Sequence, residues 1–235
     1  MAIDFSFIWV AFKEILKAVP LTLVLTFIPI VIGFLIGLAV ALTRAYNIKV
    51  LSQIANFYVS FFRGTPAIMH IMVIYFGFPI LLDYLIKVFN LPYQSNNVPI
   101  VLFVITALSL TAGSYLSEII RSGISSVSKG QIEAAYTIGM NTFQVVKRII
   151  LPQALAQSVP NITNLIIGFL HTTSIAFLVS QKEITGAANI VASKNLKFLE
   201  AFIAAGIIYW AITLIIEALL YFIEKKAKSY SRNAF

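Results

Sequence analysis

Charged side chains, cysteine and histidine are all scarce in this sequence. Charged residues make up 11% of the 235 residues, whereas soluble domains carry about 25%, so a water-soluble globular protein is excluded. The lack of cysteine excludes disulfides, thiolate metal sites and cysteine nucleophiles. Only two histidines, His70 and His171, are present. We therefore expect no metal site and no bound cofactor.

Long apolar runs dominate the rest of the chain. Hydrophobic residues make up 60% of it and the mean hydropathy is +0.92, and a helix needs roughly 20 apolar residues to cross a bilayer. Backbone groups inside the bilayer must be paired internally, so continuous apolar runs predict helices. The sequence predicts an all-α polytopic membrane protein with five spans, at residues 18–42, 66–89, 98–120, 155–180 and 201–223. The first run is too long for the apolar core of a signal peptide, so we expect it to remain as a helix.

The basic residues are distributed unevenly between alternate connections. At this hydrophobicity the net charge of +8 reflects loop residues that orient a membrane protein, so nucleic acid is not an expected partner. Eleven of the 17 Lys and Arg residues fall in the connections 43–65 and 121–154 and after residue 223. This excess predicts that those connections and the C-terminus are cytoplasmic, and that the N-terminus is outside.

The connection between the third and fourth predicted spans, residues 128–152, is amphipathic and charged. Ser128 followed by Gln131 fits a capping box at a helix start. Gly139 suits the position just after a helix, where a left-handed backbone is favoured. The connection is therefore predicted to begin with a short helix that ends at a glycine.

A second short helix is predicted after Gly139. Asn141 with Gln144 repeats the capping signature, and Pro152 lacks the next backbone donor. At roughly ten residues, or about 15 Å, neither helix is long enough to cross a membrane. The pair is either an interfacial linker or a protrusion that docks into a soluble partner.

This connection also carries a family resemblance. Its pattern of Glu-Ala-Ala, then glycine, isoleucine and Leu-Pro resembles the EAA signature of permease subunits of binding-protein-dependent ABC importers. The matching positions are Glu133, Ala134, Ala135, Gly139, Ile149, Leu151 and Pro152. In that family the loop is a coupling helix that fits a cleft in the ATPase subunit, so the resemblance implies this role for residues 128–152. It also implies that residues 1–235 form one type I importer permease domain.

Two further stretches, "FFRGTP" at 61–66 and "AGSYLSEIIRSGI" at 112–124, resemble the polar amino acid branch of these permeases. That branch takes up amino acids such as histidine, glutamine, arginine or cystine, and the stretch at 184–202 is similar to the cystine-type members. One run departs from the branch: many members have Lys-Asp-Thr-Ser in the fourth span, where this chain has His-Thr-Thr-Ser at 171–174. The departure weakens any substrate assignment taken from the resemblance.

The resemblance implies several partners and a location. The partners are ABC ATPase subunits, an extracytoplasmic amino-acid-binding protein, and a second permease copy or a related permease subunit. The implied location is the bacterial inner (cytoplasmic) membrane, where the chain is in contact with lipid.

One face of the fourth predicted span is polar. Asn161, Asn164, Gly168 and His171 are spaced three and four residues apart, which stacks them on one side of a helix. Thr172 follows His171 directly. Polar side chains that face lipid lose hydrogen bonds, so this face should meet protein or water. It either packs against another helix or lines the passage of a solute.

Ser114, Glu118 and Arg121 form a similar set on the third span. A carboxylate is costly at the bilayer centre but much less so near a helix end beside an arginine. Glu118 and Arg121 are therefore interpreted either as an ion pair that fixes the helix end or as a gate or substrate contact.

Arg63-Gly64-Thr65-Pro66 is interpreted as a helix start, with Thr65 as the cap and Pro66 at the first helical position. Arg63 either binds lipid headgroups or contacts the coupling loop. His70, which follows shortly afterwards, is expected to be an interior histidine with hydrogen-bond partners rather than a ligand.

The sequence predicts a transport subunit that is not an enzyme. It contains no G-x-x-x-x-G-K-[ST] phosphate-binding loop, so energy would arrive from ATP hydrolysis in a partner. The alternative is a secondary transporter or channel driven by ion gradients, which predicts ionisable residues near mid-membrane and inverted repeats. An intramembrane enzyme that uses His171 with Thr172 or Ser174 lacks an accompanying carboxylate in that span and is not favoured.

Overall fold

A computed structural model of the protein describes residues 3–90, 92 and 94–233, with side chains up to residue 225. The helices are α1 (Phe5–Leu16), α2 (Val19–Ala45), α3 (Lys49–Gly64), α4 (Ala67–Val88), α5 (Ile100–Ser125), α6 (Lys129–Thr137), α7 (Thr142–Val145), α8 (Leu151–Thr172), α9 (Ile184–Asn195) and α10 (Phe198–Asn233). Short 3₁₀ helices cover Ser95–Asn97 and Thr173–Val179, and a π-helical turn covers Val146–Ile150. The part of the chain that is described has no strand, which confirms the all-α prediction.

Among the described residues, five helices are long and apolar enough to cross a membrane. They are Val19–Ala45, Ala67–Val88, Ile100–Ser125, Thr142–Val179 and Phe198–Lys225. The predicted number of spans is confirmed. The boundaries agree within a few residues, except at the start of the fourth span.

α5 is the central helix of the bundle. It packs most extensively against α2, and its residues Val104, Leu108 and Leu116 belong to the main apolar core. The two backbones approach closely at Gly33 of α2, where an added Cβ atom would lie 2.6 Å from the Cβ of Ala112. Only glycine fits this contact without a shift of one helix.

A second apolar cluster lies at one end of the bundle, where α1 and α9 pack against α10. Glu183, just before α9, has a fully buried side chain. Its carboxylate accepts hydrogen bonds from the backbone N–H groups of Thr185 and Gly186 and from the hydroxyl of Tyr209, at 2.8–2.9 Å. The carboxylate therefore caps α9 and joins it to α10.

The opposite end of the bundle carries the connection 128–152, and here the prediction of a second separate helix is wrong. α7 continues through the π-helical turn into α8 without a break. Pro152 has no N–H, and in a regular α-helix its ring would clash with the carbonyl four residues earlier. The wider turn just before Pro152 accommodates the proline, so the helix is not ended there. The helix that contains the fourth span therefore begins at Thr142 instead of residue 155, and its first turns belong to the connection 128–152.

Of the two predicted capping boxes, one forms and one does not. Asn141 and Gln144 bond each other's backbone N–H groups, as predicted. Ser128 is the N-cap of α6, but its side chain makes no cap hydrogen bond. The side chain of Gln131, which the box requires, instead accepts a hydrogen bond from Gln153 at 2.9 Å. A tertiary contact between α6 and α8 has replaced the local one.

The predicted cap at the start of α4 is also wrong. Thr65 donates its hydroxyl to the carbonyl of Phe61, at the end of α3, and it is also hydrogen-bonded to His70. Pro66 is itself the N-cap, and the helix starts one residue later, at Ala67. The Thr65 hydroxyl is therefore bonded to the C-terminal end of α3 and does not cap the start of α4.

Candidate functional site

A cavity of about 450 Å³ lies between the start of α4, α5 and α8. Its polar lining consists of hydroxyl and amide groups from Thr65, Thr111, Tyr115, Asn161, Asn164 and Thr172. The remaining lining residues are Ala67, Ile119, Leu165, Gly168 and Phe169. The walls offer hydrogen-bond donors and acceptors without a charged side chain. Such a lining suits a small polar solute.

The α8 wall of the cavity continues into an open polar face. Asn161, Asn164, Gly168 and His171 are all exposed on this helix. The hydroxyl of Thr172 is satisfied by the carbonyl of Gly168, one turn earlier. The side-chain amides of Asn161 and Asn164, in a helix long enough to cross a membrane, are left to meet water, a solute or another protein chain.

Three of the candidate passage residues lie outside the cavity lining. Ser114 is fully buried and donates its hydroxyl to the carbonyl of Thr111. His171 is hydrogen-bonded to Thr213 of α10 at 3.2 Å. Glu118 lies beside the cavity, in a cluster of charges described below. The candidates that line the cavity are therefore Asn161, Asn164 and Thr172.

His70 is an interior histidine, as the sequence predicts. Its side chain is 3% exposed, and its two ring nitrogens are hydrogen-bonded to Thr65 and Thr111 at 2.7 and 2.8 Å. Both threonines line the cavity. His70 therefore acts as a hydrogen-bonding brace behind the wall, between α4 and α5.

Glu118 is surrounded by three arginines from three different elements. Arg121 forms two hydrogen bonds to one carboxylate oxygen, at 2.7 and 3.0 Å, and Arg44, near the end of α2, is hydrogen-bonded to the other oxygen. Arg63, in the last turn of α3, is 3.9 Å away. The ion pair with Arg121 is confirmed, and the cluster ties α2 and α3 to α5.

The contacts of Arg44 and Arg63 with Glu118 are not among those that the sequence predicts. Arg44 is 74 residues away along the chain, so no helical spacing relates the two. The available signal was the position of all three arginines at the predicted cytoplasmic ends of their helices, near a carboxylate that needs compensation. The positions of the arginines indicate that they lie at about the same depth as Glu118, but they do not show which of them contacts its carboxylate.

The loop glycine has the predicted conformation. Gly139 has φ of 84°, the left-handed region. The N–H of Gly139 bonds the carbonyl of Tyr136, and the N–H of Met140 bonds the carbonyl of Ala135. This is a Schellman motif, which ends α6 and turns the chain toward α7.

The surface around this turn is exposed and partly apolar. Glu133 and Ala134 are exposed, and Ala135 is buried against the rest of the chain. Ile138 is 79% and Phe143 71% exposed. Sequence reasoning singled out Glu133, Ala134 and Gly139 but not the apolar Ile138 beside them. Large exposed apolar side chains grouped on a loop are typical of a surface that binds another protein.

The other signature residues lie at the junction with α8. Ile149 is in the π-helical turn and half-buried, Leu151 is exposed, and Pro152 is half-buried. Gln153 also bonds the carbonyl of Ile149, in addition to its bond to Gln131. The Gln153 side chain therefore ties α6 to the start of the helix that carries the fourth span.

Comparison with known proteins gives a consistent result. A family model described as "Binding-protein-dependent transport system inner membrane component" matches residues 30–229. The "Probable amino-acid permease protein YxeN" of Bacillus subtilis (strain 168) is 37% identical over 213 residues, 91% of each chain. The "L-cystine transport system permease protein TcyL" of the same organism is 36% identical over 209 residues, 89% of this chain and 85% of the relative.

Solved structures resemble this fold over nearly its whole length. A structure titled "Crystal structure of an amino acid ABC transporter with histidines" has a TM-score of 0.82 and 30% identity, and the match covers 96% of this chain and 100% of that one. The MetNI methionine ABC transporter, in an inward-facing conformation, has a TM-score of 0.65 at 18% identity. At this low identity, the similarity to MetNI shows a shared fold and nothing further.

Proposed function

The chain belongs to the family of inner membrane components of binding-protein-dependent transport systems and is a permease subunit of an ABC importer, and we infer that its solute is a polar amino acid. The observation that carries this inference is the cavity lined by neutral hydroxyl and amide groups between α4, α5 and α8. The amino-acid permease relatives support it, and we favour a cystine-type solute. Asn161, Asn164 and Thr172 are the proposed solute contacts.

We propose that residues 128–152 bind an ABC ATPase subunit. Glu133, Ala134 and the exposed Ile138 would enter a cleft of that subunit, and the Schellman turn at Gly139 presents them at the tip of the loop. Exposed apolar groups supply the area that such an interface buries. ATP would be hydrolysed by the partner, and its movement would reach α8 through Ile149, Leu151 and Pro152.

The exposed polar face of α8 is the proposed contact with a second permease chain, either a copy of this one or a related subunit. The side-chain amides of Asn161 and Asn164 would otherwise face lipid, which is unfavourable in a membrane. Placing this face against its counterpart would enclose the cavity between two chains. The solute would then pass along the line between the two subunits.

We place the protein in a bacterial inner membrane, with the coupling loop and the C-terminus in the cytoplasm and the N-terminus outside. The bias of lysine and arginine supports this orientation. The end of the bundle formed by α1 and α9 would then face the binding protein that delivers the amino acid. Movement of the ATPase subunits would tilt the spans as rigid bodies and open the cavity alternately to each side.

Uptake under controlled energy supply tests this function against a transporter driven by ion gradients. Proteoliposomes would contain the permease with its ATPase and receive the binding protein and radiolabelled amino acids. We expect uptake to require internal ATP and to persist when ionophores collapse the ion gradients. Uptake that does not require ATP but stops when the ion gradients collapse would contradict the proposal and support the alternative.

A further inference from the structure

We infer that this permease selects zwitterionic amino acids of zero net charge over cationic ones, and that Arg63 binds an α-carboxylate of the solute. The inference rests on the proposed function, and it specifies the class of amino acid and a specificity-determining residue. It arises from the distribution of charge in and around the cavity.

The cavity wall itself provides no counter-ion for a cationic side chain. Its polar groups within the described residues are hydroxyls and two side-chain amides. The carboxylate closest along α5, Glu118, is held by Arg44 and by two hydrogen bonds from Arg121. Every amino acid brings one α-ammonium into the cavity, but a cationic side chain would add a second cation. That second ammonium or guanidinium group would be partly desolvated and would meet only dipoles, which compensate a full charge poorly.

The charge beside the cavity is positive. Three guanidinium groups surround the single carboxylate of Glu118, which leaves two uncompensated positive charges in this cluster. A solute in the cavity therefore experiences a positive electrostatic potential from the side on which the Glu118 cluster lies. That potential attracts a carboxylate and repels a cationic side chain, and it acts more strongly in a medium of low dielectric constant than in water.

Arg63 is the arginine in this cluster that is available to a ligand. Its Nη1 atom is 3.9 Å from Glu118, beyond hydrogen-bond distance, and its side chain is 45% exposed. Arg44 and Arg121, in contrast, both make direct hydrogen bonds to the carboxylate. An exposed guanidinium without a hydrogen-bonded acceptor is suited to bind a carboxylate in a bidentate geometry, through two parallel N–H···O hydrogen bonds.

Arg63 is also positioned at the cavity. Its Cζ atom lies 5.7 Å from the centre of the Tyr115 ring, within the range of a cation–π contact, and that ring lines the cavity. Two residues later in the chain, Thr65 forms part of the same wall. A carboxylate at the edge of Tyr115 would reach Arg63, while the α-ammonium and a neutral polar side chain would meet Asn161, Asn164 and Thr172.

Equilibrium binding to the purified permease–ATPase complex, without the binding protein, tests the selectivity directly. The probes are radiolabelled L-glutamine and L-cystine as neutral amino acids and L-lysine as a cationic one. Omitting the binding protein removes its own selectivity from the measurement. We expect at least one neutral probe to bind on the order of tenfold more tightly than L-lysine. Equal or tighter binding of L-lysine would overturn the inference.

An isosteric change of charge in the wall tests the cause. Asn164→Asp adds a carboxylate with almost no change in shape, whereas Asn164→Ala removes the amide and adds no charge. We expect the affinity for L-lysine relative to the neutral probe to be on the order of tenfold higher in N164D than in N164A. The same ratio in both variants would contradict an electrostatic origin of the selectivity.

The role of Arg63 is tested by pairing a variant with a modified ligand. The ligands are the neutral amino acid that binds and its α-carboxamide, which lacks the carboxylate. We expect Arg63→Gln to weaken binding of the amino acid about tenfold or more but to change binding of the carboxamide little, and Arg63→Lys to restore part of the difference. A purely structural effect would weaken both ligands equally and would overturn the assignment.

The outcomes separate this inference from the proposed function. If the complete importer takes up an amino acid with ATP but the selectivity is absent, or the complex binds none of the probes, the inference fails and the proposed function stands. If the complete importer takes up no amino acid at all, the proposed function fails.

Discussion

Two carboxylates at opposite ends of the bundle are stabilised in different ways. Glu118, beside the cavity, is compensated by arginines from three separate elements. Glu183, at the other end, has neutral partners: two backbone N–H groups and the hydroxyl of Tyr209. The Glu118 cluster has more positive than negative charges, and one of its arginines lies outside hydrogen-bond distance. The Glu183 carboxylate, in contrast, is hydrogen-bonded only to neutral groups, two of which belong to the start of α9.

The difference indicates which end is built to rearrange. Charge pairs between separate helices can be exchanged for other charge pairs when the helices move, including a pair with a solute carboxylate. A capped helix start loses its hydrogen bonds as soon as the carboxylate leaves it. We therefore regard the Glu118 end as a switching region and the Glu183 end as a fixed joint between α9 and α10.

The largest effect is expected from Glu118→Ala. This change leaves three arginines without their common partner, and loss of one member of a partly buried ion cluster costs about 3 kcal/mol of folding free energy. Thermal unfolding of the purified protein in detergent would measure it, with Lys17→Ala as control because that residue's ion pair with Glu14 is exposed. If Glu118→Ala and Lys17→Ala lowered the thermal stability equally, the Glu118 cluster would be no more stabilising than an exposed ion pair.

A somewhat smaller effect is expected from Glu183→Ala. Two N–H groups at the start of α9 and the Tyr209 hydroxyl lose their acceptor, which costs about 2 kcal/mol. Glu183→Gln keeps an acceptor oxygen of the same shape and should cost less. If the fixed-joint interpretation is right, the Gln variant still transports, and loss of transport in a stably folded Gln variant would contradict it.

Gly139→Ala is expected to cost about 1 kcal/mol locally, because the left-handed backbone disfavours any side chain. Apart from the two chain neighbours, no atom of the described residues lies within 4 Å of the added Cβ, so the effect comes from the backbone alone. We expect slower uptake per ATP hydrolysed, as the turn that presents the coupling loop is strained. Gly130→Ala, in α6 of the same loop, is the matched control and should leave this ratio unchanged.

The smallest expected effect is a dependence of stability on pH. Burial raises the pKa of Glu183 above its usual range, although its hydrogen bonds oppose the shift. A carboxyl with a raised pKa binds more protons in the folded state, so its contribution to stability is complete below the unfolded pKa of about 4.3 and falls as pH rises toward the folded value. Thermal unfolding of the wild type and Glu183→Gln across this range should show that fall in the wild type alone.

The sequence predicted the features that depend on residues close together in the chain. Runs of apolar residues gave the five spans, the Asn141–Gln144 spacing gave a capping box, and Gly139 gave the left-handed turn. Each of these is determined by local backbone and hydrogen-bond preferences, which remain visible in the order of residues.

Features that depend on tertiary contacts were missed or mispredicted. Gln131 bonds Gln153 instead of completing a capping box, and Arg44 reaches Glu118 across 74 residues. The buried contact between Glu183 and Tyr209 was not identified, because the two residues are 26 positions apart and lie on different elements. Pro152 was read as a helix end from its missing N–H, but a π-helical turn accommodates it. In each case a long-range contact or a backbone adjustment outweighed the local preference.

The assignment of the loop to the cytoplasmic side, where an ATPase can reach it, is the central claim and can be tested by thiol labelling. The chain has no cysteine, so Ala134→Cys provides a single thiol in the exposed part of the loop. Asn195→Cys provides one at the other end of the bundle, in the last residue of α9. In right-side-out membrane vesicles, a membrane-impermeant maleimide should label the Asn195→Cys variant at once and the Ala134→Cys variant only after permeabilisation. Labelling of the Ala134→Cys variant in sealed vesicles would place the loop outside and contradict the account.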